Sequence, residues 1–155
     1  MNEKDLTQFI QQQGIEAEIV MLEAETPTVE AAAVAVGVSP EQIGKSILFL
    51  ADGDPVLVIA NGTTRVGYKP LAGYLGVSRR RLKLANAAQV LATTGYTVGT
   101  VPPFGHITKL RTILEAGVMT QQELFAGGGA NQTLLRIEVR ELVRATAAQI
   151  ISLPA

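Results

Sequence analysis

The sequence predicts a mixed α+β domain. Short apolar, β-branched segments typical of strands alternate with short helical segments, and one hairpin signal lies near the middle of the chain. These segments do not follow the regular strand–helix–strand order of a doubly wound parallel sheet. The pattern therefore favours α+β over α/β.

Length and composition indicate one folded unit. The chain has 155 residues, of which 47% are hydrophobic and 17% are charged. We expect a single domain over residues 1–155, because two cores would leave each half small. The apolar content excludes a disordered or polyelectrolyte chain.

The first quarter of the chain predicts two helices and a strand. Apolar residues recur with helical spacing over residues 5–13, and Gly14 ends that helix. Weak alternation predicts a strand over 18–22. Thr28 is a suitable N-cap for an alanine-rich helix over 29–36, and a further helical turn begins at residues 39–42.

The clearest local signal is a hairpin. Two apolar runs of matching length, residues 45–51 and 55–61, flank Asp52-Gly53-Asp54. Asp-Gly favours the left-handed backbone that a tight two-residue turn requires. The sequence therefore predicts an antiparallel hairpin over residues 45–61.

The second half alternates more loosely and includes a rigid loop. Residues 95–106 contain three glycines and two prolines, which indicates a stiff connection rather than a regular element. The spacing around this loop predicts a helix over 69–75, a strand over 81–84, a helix from its cap Asn86 to Thr93, a strand over 107–114, a helix over 121–125, a strand over 133–139, a helix over 141–145 and a strand over 149–153.

The residue inventory excludes several kinds of site. The chain has no cysteine and a single histidine, His106, so disulfides, thiolate metal sites, cysteine nucleophiles and a zinc site built from histidines are excluded. No Gly-x-Ser-x-Gly elbow is present, and no acid lies close to His106 in sequence. Gly44-Lys45-Ser46 matches only the end of a Walker A loop, and Gly127-Gly128-Gly129 is a poor match to a dinucleotide fingerprint.

The formal net charge of -1 hides a strong asymmetry along the chain. Residues 1–44 carry eight carboxylates and one basic residue, whereas residues 55–114 carry eight basic residues and no carboxylate. Such a stretch favours an anionic partner at the surface that it forms. The alternative is that the basic stretch faces the acidic first part of the chain within the fold.

Two features could carry chemistry. Lys45 begins an apolar strand, where it is either a solvated end charge or a fixed cation that holds a phosphate or an anionic intermediate. The segment from Thr94 to His106 is either a stiff connection or a loop whose backbone N–H groups bind an anion. The residues by themselves leave both alternatives open.

Together these two features resemble the YbaK-type family, the trans-acting relatives of the editing domain inserted in bacterial prolyl-tRNA synthetases. The resemblance rests on Gly44-Lys45-Ser46 at the start of a strand, followed about fifty residues later by Thr94-Gly95-Tyr96-x-x-Gly99-x-x-x-Pro103-Phe104-Gly105-His106. It extends from about Thr26 to the C-terminus. It implies a compact domain with a curved, largely antiparallel sheet flanked by short helices.

The resemblance also implies hydrolysis of the ester between a wrongly attached amino acid and tRNA. Lys45 matches the family lysine thought to hold the 3′ end of the substrate, and Gly99 and Pro103 match a Gly-x-x-x-Pro loop that cradles the ester. The substrate pocket is then expected to include Ser46, Phe104, Gly105, Gly128, Gly129 and Asn131, and also His106 unless that residue hydrogen-bonds the loop instead. We expect the tRNA to meet Arg65, Lys69, Arg79, Arg80, Arg81 and Lys83, although a solvated charge run without specific function is the alternative.

The chemistry of an aminoacyl ester agrees with this interpretation. The ester is already activated, so the protein needs to position it, stabilise an oxyanion and admit a water, and a strong nucleophile is unnecessary. We expect the base to be the terminal ribose hydroxyl or bound water, and His106 to hydrogen-bond the loop rather than line the pocket. Residues 127–131 lack the histidine with which some relatives exclude larger amino acids, which leaves a roomier pocket, so serine, threonine or another small-to-medium residue is as suitable a substrate as alanine.

The expected function is therefore trans-editing of tRNA-Pro, or a related tRNA, that carries a small non-cognate amino acid. The rival interpretations are a non-catalytic module that regulates or binds a synthetase and a general small-ligand-binding domain. Expected partners are aminoacyl-tRNA and an aminoacyl-tRNA synthetase, and not DNA. The apolar runs fall short of the ~20 residues of a membrane span, so we expect a cytoplasmic protein with no membrane partner, metal or organic cofactor.

Overall fold

The strands form two sheets in the computed structural model, which describes all 155 residues. The helices are α1 (Glu3–Gln13), α2 (Val29–Val36), α3 (Tyr68–Leu75), α4 (Ala87–Thr94) and α5 (Val139–Thr146). The strands are β1 (Ala17–Met21), β2 (Gly44–Ala51), β3 (Asp54–Asn61), β4 (Leu82–Leu84), β5 (Arg111–Glu115), β6 (Glu123–Gly127), β7 (Thr133–Glu138) and β8 (Gln149–Ile151). Three 3₁₀ turns occupy Pro40–Gln42, Arg79–Arg81 and Ala116–Thr120.

The sheet topology confirms the mixed α+β class. One sheet has the order β4-β2-β3-β5-β8 and the other has the order β1-β7-β6. Four of the six strand pairings are antiparallel, and the parallel ones are β3 with β5 and β5 with β8. The strands are thus divided between two sheets, whose inner faces both need apolar cover.

The principal core lies where side chains from both sheets meet. Leu48 and Leu57 from the five-stranded sheet share one buried cluster with Leu124 and Ile137 from the three-stranded sheet. Helix α1 adds Leu6 to the same cluster. The opposite face of the five-stranded sheet is covered by α3. No α-helix is both long enough and apolar enough to cross a membrane.

The predicted hairpin is confirmed, and it determines where Lys45 lies. Strands β2 and β3 pair from Gly44 with Asn61 to Ala51 with Asp54. The turn residues Asp52 and Gly53 have φ values of 50° and 88°, as a type I′ turn requires. Strand β4 pairs only with residues 49–51 of β2, so the edge of β2 near Lys45 is not covered by that strand.

The caps at several helix ends also agree with the sequence. The Thr28 hydroxyl accepts a hydrogen bond from the Ala31 N–H at 3.0 Å, and the Asn86 side chain accepts one from the Gln89 N–H at 2.9 Å. Gly14 ends α1 with a left-handed φ of 63°. Each cap satisfies an end group of a helix with no partner within the helix.

Two predicted elements are wrong. Residues 121–125 do not form a helix, because this segment leads into β6, whose backbone hydrogen-bonds with β7. A five-residue helix has a costly nucleus and few hydrogen bonds, so sheet pairing prevails. The strand predicted over 107–114 begins only at Arg111, since the Ile107 N–H donates to the Thr94 carbonyl at 3.0 Å and closes the preceding loop on α4.

Candidate active site

A cavity of about 440 Å³ lies where the two sheets meet the segment that connects β1 to α2. Its walls come from four parts of the chain: residues 25–29, the start of β2, the loop at 98–99, and the end of β6 with the turn into β7. A cavity of this size is within the range of sites for small ligands. Segments far apart in sequence therefore converge on one site.

Lys45 is the single cation that lines this cavity. Its side chain is half-buried, and its ammonium group takes part in no ion pair or hydrogen bond within the protein. Burial lowers the pKa of Lys45 from its ordinary value of 10.5, and the nearby Arg65 lowers it further. An anion bound beside Lys45 would oppose both effects, so the site favours a negatively charged ligand group.

Arg65 lines a neighbouring groove of about 570 Å³ that shares Lys45 with the cavity. The groove also contains Thr63, Thr64 and Tyr68. Lys45 and Arg65 thus line the same groove, and neither forms an ion pair with a carboxylate. Such an arrangement is suited to a phosphate group.

The loop around Gly99 forms another wall of the cavity that Lys45 lines. Gly99 has a φ of 90°, a left-handed conformation that side-chain-bearing residues rarely adopt. The Thr100 N–H and hydroxyl both donate to the Thr97 carbonyl, at 3.0 and 2.8 Å, which closes a tight turn. The N–H groups of Val98 and Gly99 make no hydrogen bond within the protein, and both residues line the cavity.

The loop around Gly99 is held from behind by the glycine segment at the end of β6. The Gly129 N–H donates to the Thr100 carbonyl at 2.9 Å. A Cβ added at Gly127 would overlap the Val101 carbonyl oxygen and would lie 2.9 Å from the Thr100 oxygen. Gly127 therefore permits backbone to pack directly on backbone, and the two glycine-rich segments form one structural unit.

The Aminoacyl-tRNA editing domain model matches residues 23–145. This match covers the cavity, the loop and most of both sheets. The chain belongs to the aminoacyl-tRNA editing domain family.

Individual relatives agree with this membership. The editing domain is 29% identical over 143 residues to the uncharacterized protein YwhH of Bacillus subtilis, covering 92% of this chain and 89% of that protein. It superposes with a TM-score of 0.92 on the crystal structure of a candidate trans-editing enzyme for prolyl-tRNA synthetase, at 30% identity and with 99% and 96% of the two chains covered.

A third relative is a much longer protein. The editing domain is 36% identical over 92 residues to the proline–tRNA ligase of Nitratidesulfovibrio vulgaris strain DP4, covering 57% of this chain and 16% of the ligase. The chain thus corresponds to a small part of that enzyme. The relatives connect the editing domain with prolyl-tRNA synthetase editing.

The structure brings together only some of the predicted site residues of the editing domain. Lys45, Gly99 and Asn131 line the cavity. Gly128 and Gly129 are buried next to its lining. The Ser46 hydroxyl is buried without a hydrogen-bond partner, and Ser46 is not among the residues that line the cavity.

Pro103, Phe104, Gly105 and His106 line a separate cavity of about 330 Å³. The Phe104 ring stacks on Phe9 of α1 with a centroid distance of 5.8 Å. This part of the loop is therefore packed on α1 rather than on the Lys45 cavity. In this structure Pro103 lines this second cavity and not the Lys45 cavity.

His106 lies in that second cavity and hydrogen-bonds the loop backbone. Its Nε2 lies 2.7 Å from the Pro102 carbonyl oxygen, so in the neutral ring Nε2–H donates. Burial lowers the pKa of His106 from 6.5, and this hydrogen bond opposes the shift in part. The geometry agrees with the expected loop-bonding role.

This pKa shift predicts how stability depends on pH. At pH values between the lowered pKa of His106 in the folded protein and its ordinary value of 6.5, the unfolded chain binds more protons than the folded protein. The free energy of unfolding therefore falls as the pH drops below about 6.5. Urea denaturation at pH 7.5 and 5.5 should show a loss for the wild type that His106→Asn reduces. An equal loss in both proteins would contradict this assignment.

The six basic residues expected to meet tRNA do not form one uniform patch. Arg81 pairs with Asp52 at 2.7 Å near the hairpin turn, about 20 Å along β2 from Lys45. The Arg79 guanidinium lies 4.3 Å from the centre of the Tyr68 ring. Arg65, Lys69, Arg80 and Lys83 are exposed and make no ion pair.

None of the five ion pairs joins residues 55–114 to residues 1–44. The acidic first part of the chain therefore does not neutralise the basic stretch through ion pairs.

Sequence reasoning missed two contributors to the cavity. The segment at 25–28 lines it beside α2, although the residues there read only as a connection and a cap. Gly127 also lines it and contacts the loop. The run of three glycines was the available signal, because a glycine within a strand often marks a place where another part of the backbone approaches closely.

Proposed function

We propose that this protein hydrolyses the ester of mischarged aminoacyl-tRNA in trans, most suitably tRNA-Pro or a related tRNA that carries a small non-cognate amino acid. The observation that carries the proposal is one cavity lined by an unpaired lysine and by a glycine loop with free N–H groups. The family membership supplies the substrate class. Amino acids are attached to tRNA in the cytoplasm, so the protein would act there.

Lys45 is suited to the phosphate of the substrate, and the loop around Gly99 is suited to its ester carbonyl. The Lys45 ammonium binds a phosphate of the 3′-terminal nucleotide, with Arg65 beside the same groove. The ester carbonyl then points toward Val98 and Gly99, whose N–H groups stabilise the negative charge that develops on the carbonyl oxygen.

The reaction needs no side-chain nucleophile. A water attacks the carbonyl carbon and the bond from that carbon to the ribose oxygen breaks. The ribose oxygen takes up a proton, so the products are the free amino acid and tRNA with its terminal hydroxyl restored. The protein contributes by positioning the ester and stabilising the oxyanion.

The cavity has room for the side chain of a small or medium-sized amino acid. Its apolar lining includes the small Ala32 and Ala126, the medium-sized Val29 and Val98, and the larger Ile43 and Leu134. Thr133 and Asn131 provide polar groups. Alanine, serine and threonine all suit these walls.

The direct test is deacylation of a panel of tRNA-Pro molecules charged with alanine, serine, threonine or proline. We expect at least one small non-cognate ester to be hydrolysed well above its spontaneous rate, and prolyl-tRNA to be spared. If every ester decays at its spontaneous rate, the protein is not a deacylase of this class. Binding of the same tRNAs without turnover would then favour the non-catalytic module.

A further inference from the structure

The charges that line the cavity are arranged in an informative way. Among the lining residues, Lys45 is the one cation and Glu25 is the one anion. All other polar lining groups are neutral. The site therefore presents one charge of each sign to whatever occupies it.

Glu25 is not engaged elsewhere in the protein. Its side chain is exposed and takes part in no ion pair or hydrogen bond. Five other carboxylates, those of Glu18, Asp52, Glu123, Glu138 and Glu141, pair with arginines. Glu25 is thus a carboxylate at the cavity whose charge no protein group compensates.

The backbone around Glu25 is anchored on both sides. The Leu22 N–H donates to the Gln132 carbonyl at 2.8 Å, which ties the segment to the turn before β7. Thr28 caps α2 through the Ala31 N–H at 3.0 Å. These anchors, each three residues from Glu25, hold the backbone of the segment that carries Glu25 beside the cavity.

An aminoacyl-tRNA end carries the complementary pair of charges. Its phosphate is anionic, and its α-ammonium group lies on the carbon next to the ester carbonyl. We propose that Glu25 binds the free α-ammonium group of the substrate while Lys45 binds its phosphate. This inference rests on the proposed function for the identity of the occupant.

The consequence is selectivity for a free amino group. Lys45 and Glu25 together orient the substrate, because reversing it would place like charges next to each other. A chain end whose amino group is acylated, as in peptidyl-tRNA or formylated aminoacyl-tRNA, lacks the charge that Glu25 binds. Such substrates are therefore rejected in favour of simple aminoacyl-tRNA.

The test uses binding, so it does not depend on turnover. The probe is an RNA minihelix whose terminal adenosine carries alanine through a stable 3′-amide, prepared with a free or an N-acetylated amino group. Fluorescence anisotropy gives the Kd of each form for the wild type, Glu25→Gln and Glu23→Gln. Glu23 lies in the same exposed segment but does not line the cavity, so its variant matches the change in charge.

We expect the wild type and Glu23→Gln to bind the free-amine probe about 5-fold more tightly than the acetylated one. Glu25→Gln should weaken binding of the free-amine probe alone and so reduce this preference. An unchanged preference in Glu25→Gln, or equal weakening of both probes, overturns the inference. A protein that shows the preference but hydrolyses no ester would refute the proposed function and retain this inference.

Discussion

Replacing Lys45 by methionine is expected to lower kcat/KM for deacylation of the best mischarged tRNA by about 100-fold, because a charge-assisted contact to the substrate is lost. Methionine keeps an unbranched apolar stem of similar length and removes only the ammonium group. Deacylation of radiolabelled aminoacyl-tRNA, measured with substrate below KM, gives this ratio directly.

The loss should not arise from unfolding. The pKa of Lys45 is lowered by burial, which means that the folded state disfavours its charge relative to the unfolded chain. Removing the charge should therefore leave the free energy of unfolding at pH 7 unchanged or slightly higher. Urea denaturation of both proteins at that pH checks this point.

Lys4→Met is the matched control for Lys45→Met. Lys4 lies exposed on α1, outside the cavity and outside the six basic residues expected to meet tRNA, and its replacement changes the net charge by the same amount. We expect a small effect that moderate salt removes, since an exposed cation contributes mainly long-range attraction. Wild-type rates in Lys45→Met, or an equal loss in Lys4→Met, would remove Lys45 from the site.

The second large effect is expected at Gly127. Gly127→Val should lower the free energy of unfolding by about 1–3 kcal/mol or more, because the new side chain meets backbone rather than a movable side chain. For a domain of this size that corresponds to a Tm lower by roughly 3–10 °C. Thermal denaturation followed by circular dichroism measures it.

Gly127→Val should lose deacylation activity even under conditions where it remains folded. The added atoms would overlap the Val101 carbonyl and lie 2.7 Å from its carbonyl carbon, so either β6 or the loop around Gly99 must move. Displacing that loop misplaces the N–H groups of Val98 and Gly99. We therefore expect deacylation to be lost at temperatures where the variant is still folded.

Gly73→Ala provides the matched control for Gly127→Val. Gly73 lies in α3, and a Cβ added there meets nothing within 4 Å. Alanine should stabilise the helix by about 0.5–1 kcal/mol and leave activity unchanged. If Gly127→Val were as stable and active as Gly73→Ala, the packing of the glycine segment on the loop would not matter.

Local signals account for the elements that were predicted well. The hairpin followed from Asp52-Gly53, whose left-handed backbone is a property of two adjacent residues. The caps at Thr28 and Asn86 depend on contacts three residues away. The helix predicted over 121–125 failed for the opposite reason, because β6 exists only through its pairing with β7.

The site was predictable to a similar extent. Residue type and spacing left the roles of Lys45 and Gly99 open; the resemblance to the YbaK-type family assigned them to the site, and the structure places both at one cavity. The same resemblance grouped Pro103 and His106 with them. The packing of Phe104 on α1 turns that part of the loop to a different cavity.

The amino-acid sequence by itself determined the α+β class, the hairpin that begins at Lys45 and the glycine loop, because caps, turns and periodicity act over a few residues. Only the tertiary structure decided that Gly127 supports the loop and that Glu25 faces the same cavity as Lys45. These residues are far apart along the chain. They meet because the two sheets bury their apolar faces together, and that packing depends on the whole chain.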